Sequence, residues 1–219
     1  MAGRSLLLMV VVLFEGGLGK RLKRWRRRSY DDRLDADRIV PHLTLLEPFL
    51  AQPPLLPLER HLWAVCHSWP PIWLELGEMA RDKSLLYVEV VSGGPDLSRL
   101  RDALCTGPLA GQASASGGPA RTGGRLAASG GEAAGPFRPR IVVAEPPTQG
   151  ELAEASERLL GLPVRASYEV KRLHLMAAQP YGSWYVRDFF GLDGTYAASP
   201  ATNTPSPKAG QPLAQGRAG

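Results

Sequence analysis

Nine apolar residues run unbroken from Leu6 to Phe14, whereas elsewhere apolar positions alternate or recur at helical spacing. Such a run, closed by the turn signal Glu15-Gly16-Gly17, predicts a strand buried on both faces. It falls far short of the ~20 residues a membrane-spanning helix needs. A secretory leader is the competing reading, with Arg4 ahead of the run and small residues at Gly17 and Gly19, but the basic segment that follows opposes export. Pro41 to Pro48 predicts a second strand ending at Pro48. Leu43 and Leu45 point into the core, and His42 and Thr44 lie on the other face. Over Leu58 to Trp69, Leu58, Leu62, Val65, Cys66 and Trp69 form one helical stripe, with Pro57 suited to the first turn. His61 and His67 lie off that stripe.

Strands over Ile72–Leu76 and Leu85–Val91 are expected to pair antiparallel through a turn at Asp82-Lys83-Ser84. A helix over Asp96–Cys105 buries Leu97, Leu100 and Leu104. Farther on, Pro139–Pro146 predicts a strand. Thr148 and Glu151 form a capping box for a helix that buries Leu152, Ala155 and Leu159. Ala166–Ala178 and the aromatic segment Gly182–Leu192 supply the closing strands.

Composition divides the chain of 219 residues. Residues 107–135 are dominated by Gly, Ala and Ser, and residues 195–219 by Ala, Pro, Gly and Ser. Neither holds enough apolar surface to offset chain entropy, which predicts a disordered insert and a disordered tail. Residues 1–106 and 136–194 are then two parts of one compact domain. Cys66 and Cys105 have no metal-ligand spacing and indicate no disulfide framework, so a reducing cytoplasm is the simplest setting.

Charge is concentrated rather than spread. The net charge is +5, and Lys20 to Arg28 holds seven basic residues in nine. One reading is a nucleic-acid contact through Lys20, Arg21, Lys23, Arg24 and Arg27, with Trp25 stacking on a base. The other is a solvated basic face, partly neutralised by Asp31, Asp32, Asp35 and Asp37.

The chain also repeats itself. Residues 41–48, PHLTLLEP, align with residues 139–146, PRIVVAEP, and in each case an amphipathic helix and then strands follow. A duplicated strand–helix–strand–strand unit predicts two pseudosymmetric lobes of one α+β fold. The core-facing positions stay apolar between the copies. The other face changes: His42 becomes Arg140 and Thr44 becomes Val142.

Pro41-His42-Leu43-Thr44-Leu45, with Pro48-Phe49 behind it, resembles the first His-x-Thr motif of the 2H (two-histidine) phosphoesterases, most closely the 2′-5′ RNA ligase-like proteins. Phe137-Arg138-Pro139-Arg140 stands where those proteins carry Phe-x-Pro-His. The resemblance spans about Leu6 to Leu192 outside the insert. It implies a bilobal α+β fold, with duplicated antiparallel sheets, helices outside and a central cleft lined by one motif strand from each lobe. It also implies RNA or a small nucleotide phosphodiester as the partner, a 2′,3′-cyclic phosphate or 2′-5′ linkage as the reacting group, and no metal, cofactor or membrane. His42 and Thr44 are then the catalytic pair, and His42, Thr44 and Arg140 the phosphate ligands.

Arg140 cannot replace a proton-transferring histidine, because a guanidinium stays protonated. It can still pair with phosphate. Val142 offers no side-chain hydrogen bond. Two functions stay open: a weak or repurposed phosphoesterase, or an inactive phosphate-binding module. A salt bridge to Glu145 or Glu47 is the structural alternative for Arg140. Tyr181 is a further candidate donor.

Overall fold

The structure is a computed structural model. It describes residues 5–29, 40–82, 85–110, 137–144, 148–162, 164–180 and 182–195. The aspartates after the basic cluster, the turn residues Lys83 and Ser84, Glu145, Tyr181, most of the insert and the tail from residue 196 lie outside these.

Eight strands form one antiparallel sheet: β1 (Leu6–Leu13), β2 (His42–Ala51), β3 (Ile72–Arg81), β4 (Leu86–Ser92), β5 (Arg140–Ala144), β6 (Ala166–Val170), β7 (Arg172–Ala178) and β8 (Trp184–Gly191). Their order is β6-β3-β4-β5-β2-β1-β7-β8, and the sheet curls into a half-barrel. The expected α+β class is present, but the lobes are not the two sequential copies: each half-sheet, β6-β3-β4-β5 and β2-β1-β7-β8, takes strands from both, and the halves join through β2 and β5. Four helices accompany the sheet: α1 (Gly16–Ser29), α2 (Leu56–His67), α3 (Gly94–Leu104) and α4 (Gln149–Leu159).

The apolar pattern explains why the helices share one face. Leu22 and Trp25 of α1, Leu58 and Leu62 of α2, Leu97 and Leu100 of α3, and Leu152 and Leu159 of α4 join one core with Leu8, Val10, Leu43, Ile141 and Val143 of the strands. Burial of each such leucine or isoleucine contributes about 1.5–3 kcal/mol. A smaller cluster, Met9, Val11 and Met176 with Leu13 and Trp184 against it, occupies the opposite face of the sheet. That inner, concave face is where His42 and Thr44 of β2 emerge, opposite the core residues Leu43 and Leu45.

The second strand departs from the expected pattern. It runs through Pro48 to Ala51, and its register with β1 shifts twice, between the Val11–Thr44 and Val10–Leu46 pairs and again before Leu8–Phe49. The first irregularity lets consecutive Leu45 and Leu46 both enter the core, which strict alternation forbids. The second spans Glu47 and Pro48, so the missing proline N–H need not serve a regular ladder.

The basic segment is helical. Gly16 starts α1 with φ of +62°, and Gly19 sits so close to the Phe14 carbonyl that a Cβ would collide with it. The capping box at Thr148 is present, with the Glu151 N–H donating to Thr148 Oγ1 and the Thr148 N–H donating to the Glu151 carboxylate. Gly107–Leu109 forms a turn of 3-10 helix with Leu109 in the core, so the first part of the domain extends beyond residue 106. No helix is long and apolar enough to cross a membrane among the described residues.

Candidate functional site

The site begins with one pairing. Leu43 of β2 lies opposite Ile141 of β5. Continued in the antiparallel sense, this register sets His42 beside Val142 and Thr44 beside Arg140. All four project from the face opposite Leu43 and Ile141, which are fully buried in the helix-covered core. On the other side of β2, Leu13 pairs with His42 and Val11 with Thr44. The two copies of the repeat therefore present their altered positions on one shared inner surface.

His42 is half-buried, and its Nδ1 is 2.8 Å from the Val40 carbonyl oxygen. A carbonyl only accepts, so Nδ1 carries the proton and the neutral ring leaves Nε2 as an acceptor. Burial pushes the imidazole pKa down to about 4, outweighing the opposing hydrogen bond to Val40 and aided by a still smaller contribution from Arg26. At neutral pH His42 is a hydrogen-bond acceptor and a base, not an acid.

Arg140 has a partner that the sequence did not suggest. Its Nη1 donates to Asp82 Oδ2 at 2.7 Å, and its guanidinium lies 5.3 Å from the centre of the Tyr87 ring. Asp82 comes from the end of β3, one strand beyond β4, and sequence spacing gives no hint of that proximity. Both members of the pair keep about a third of their side-chain surface in water, where such pairs contribute roughly 0–1 kcal/mol. The guanidinium is thus held over the inner face by a contact weak enough for a phosphate to compete with.

Trp25 must be removed from the nucleic-acid set. It is 5 % exposed and packed in the core, because its position on α1 follows the same stripe as Leu22. It has no ring face to offer a base. Arg21 is half-buried and donates to the Val164 carbonyl, whereas Lys20, Lys23, Arg24 and Arg27 are exposed. The helix lies on the covered side of the sheet, so this basic surface and the inner face look in opposite directions.

One residue of the inner face escaped sequence reasoning. His174 of β7 pairs with Val11 of β1, which in turn pairs with Thr44. Its signal was available, as an imidazole between Leu173 and Leu175 in a strand pattern, but nothing in one dimension tied it to His42.

A profile of the 2′-5′ RNA ligase superfamily matches residues 14–180. The chain belongs to this superfamily. The 2H phosphoesterase resemblance read from the His42 motif agrees with it. Among solved structures, E. coli LigT complexed with phosphate superposes with a TM-score of 0.54 at 16% identity, covering 87% of this chain and 99% of that one. E. coli LigT complexed with NADP+ gives 0.52 at 19% identity, covering 86% and 99%. TT0787 of Thermus thermophilus gives 0.53 at 17% identity, covering 85% and 97%. At these identities the likeness is one of fold, and it fits the superfamily's curled sheet. No curated protein sequence matches the chain.

At the equivalent positions of the repeat, this chain carries His42 and Thr44 in the first copy and Arg140 and Val142 in the second. No three of His, Cys, Asp and Glu converge as a metal-binding group among the described residues.

Proposed function

We propose that this superfamily member binds a 2′,3′-cyclic phosphate or a 2′-5′ phosphodiester, of a nucleotide or an RNA end, on the inner face and turns it over slowly. The observation that carries the reading is the β2–β5 pairing, which brings Thr44 and Arg140 side by side with His42 next along the strand. That E. coli LigT has been solved with phosphate and with 3′-AMP is in keeping with a phosphate site on such a sheet.

In this reading the Thr44 hydroxyl donates to one phosphate oxygen. Arg140, exchanging Asp82 for the ligand, supports the charge that develops on the others. His42 Nε2 accepts a proton from the attacking water or hydroxyl. The leaving oxygen has no imidazole partner at the position of Arg140, so its proton comes from solvent, which removes a factor of roughly 10²–10⁴. An RNA would reach Lys20, Lys23, Arg24 and Arg27 only by passing round the sheet, as a second contact. Cys66 and Cys105 are both free thiols, in keeping with a cytoplasmic setting.

The second reading, a binding module without turnover, is favoured by the Arg140–Asp82 pair and by the low basicity of His42. A 2′,3′-cyclic nucleotide distinguishes the two. Binding with slow hydrolysis that His42→Ala abolishes supports the enzyme. Binding with no hydrolysis at any enzyme concentration supports the module. Failure to bind any cyclic nucleotide or RNA end removes both.

A further inference from the structure

Tyr87 of β4 pairs with Val142 of β5 on one side and with Ala80 of β3 on the other. Its sequence neighbours Leu86 and Val88 are fully buried in the helix-covered core, so the phenol projects from the inner face. The register that sets His42 beside Val142 therefore continues into a row of His42, Val142, Tyr87 and Ala80. At about 4.8 Å per strand, the backbones of His42 and Tyr87 are roughly 10 Å apart. Val142 and Ala80, the side chains flanking the phenol in this row, are short and leave space above the sheet between the imidazole and the phenol.

Arg140 turns toward this row. Glu89, an exposed carboxylate, stands directly across the strand pair from it. The guanidinium nevertheless donates to Asp82 and lies 5.3 Å from the centre of the Tyr87 ring. Its positive charge is thus carried away from Glu89 and over the phenol.

The Tyr87 hydroxyl is available to a ligand. The residue is half-buried, and its hydroxyl makes no hydrogen bond among the described residues. It is also open to solvent, unlike the Arg21, Arg101 and His174 nitrogens, which are buried without a partner. The Thr44 hydroxyl of the first copy is unpartnered and open in the same way. A phenol O–H can donate and accept, which is what the Val142 side chain beside it cannot do.

We propose that Tyr87 is a phosphate ligand of the inner-face site, its hydroxyl donating to a non-bridging phosphate oxygen in place of the side-chain hydrogen bond that Val142 does not offer. The phosphate then lies against the Arg140 guanidinium, with the Thr44 hydroxyl reaching it from β2 and the Tyr87 hydroxyl from β4. A hydrogen bond to such an oxygen strengthens as negative charge develops there. The inference rests on the phosphodiester reading above and adds a donor from outside both copies of the motif. Tyr87 takes no part in proton transfer, which stays with His42.

The test measures binding of inorganic phosphate and of 2′,3′-cyclic AMP to the full chain, by calorimetry, for wild type, Tyr87→Phe, Tyr87→Phe with Val142→Thr, and Thr44→Val. Tyr87→Phe is expected to weaken both ligands about 10-fold, the loss of one hydrogen bond to a charged group. It keeps the ring beside Arg140 and removes only an unpartnered hydroxyl, so its melting temperature is expected to match wild type. Val142→Thr in the Tyr87→Phe background returns a hydroxyl to the adjacent position and is expected to recover most of the lost affinity. In wild type, the Cζ resonance of labelled Tyr87 is expected to shift on adding inorganic phosphate, a readout that needs no variant. Wild-type affinity in Tyr87→Phe, with Thr44→Val still impaired, overturns the role of Tyr87 and leaves the phosphate site standing. Wild type that binds neither ligand overturns both.

Discussion

Leu43 and Ile141, equivalent positions in the two copies of the repeat, are paired with each other across the junction of β2 and β5. The pseudo-twofold of the duplication therefore passes through this pair. Antiparallel pairing of equivalents brings the first polar position of one copy beside the second polar position of the other, so Thr44 meets Arg140 and His42 meets Val142. The two copies meet in register and differ in the side chains they present.

Restoring the second motif tests that inequality. Arg140→His with Val142→Thr is expected to raise cyclic-phosphate turnover by about 10²–10⁴-fold. A histidine at 140 would stand next to the Asp82 carboxylate, which favours its protonated form and suits it to donate to a leaving oxygen. Steady-state kinetics on the double variant, with Arg140→His alone for comparison, check it. An increase of less than about threefold counts against the reading.

Removing the competitor for Arg140 has a different signature. Asp82→Asn deletes the negative charge 2.7 Å from the guanidinium and is expected to tighten phosphate or cyclic-nucleotide binding several-fold. Stability should change by no more than about 1 kcal/mol, since the pair is part-exposed. Calorimetric titration and urea melts measure the two effects separately.

The acidity of His42 fixes a pH window for activity. With a pKa of about 4 in the folded chain, its ring is neutral through the physiological range. The base-dependent limb of kcat/KM should therefore stay flat from neutrality down to about pH 5 and fall only as pH approaches 4. A limb centred near 6.5, the ordinary imidazole value, would contradict the burial of this ring.

The same shift makes a stability prediction of definite sign. Above pH 6.5 His42 is neutral folded and unfolded, so it contributes no pH dependence. As pH falls from 6.5 toward 4 only the unfolded chain takes the proton, and stability is lost, on the order of 2–3 kcal/mol for this residue. His42→Gln should flatten that part of the pH–stability curve measured by chemical denaturation.

Trp25 and its basic neighbours should separate cleanly. Trp25→Ala opens a cavity in the core and is expected to cost about 3–5 kcal/mol of stability. Lys20→Ala, Lys23→Ala and Arg24→Ala combined should alter stability little and reduce salt-dependent RNA binding if the outer surface contacts RNA. Melting curves and binding isotherms at two salt concentrations distinguish the effects.

Much of this protein was legible in one dimension because its cues are local. The apolar run of β1, the Pro-led helix α2, the capping box at Thr148 and the leucine stripes follow from side-chain period and backbone hydrogen bonding, which neighbours in sequence decide. The repeat likewise placed His42 and Arg140 at equivalent positions. What lay beyond it was set by neighbours in space. Consecutive Leu45 and Leu46 enter one core because β2 shifts register against β1. Trp25 is buried because β5 and α4 lie beneath α1, and Asp82 reaches Arg140 because β4 lies between their strands. His174 meets the Thr44 row only through β1. The sequence by itself determined the elements, the duplicated motif and the presence of Arg140 and Val142 where its first copy has His42 and Thr44. Only the tertiary structure decided which side chains share the inner face, because strand order and register bring together residues that are far apart along the chain.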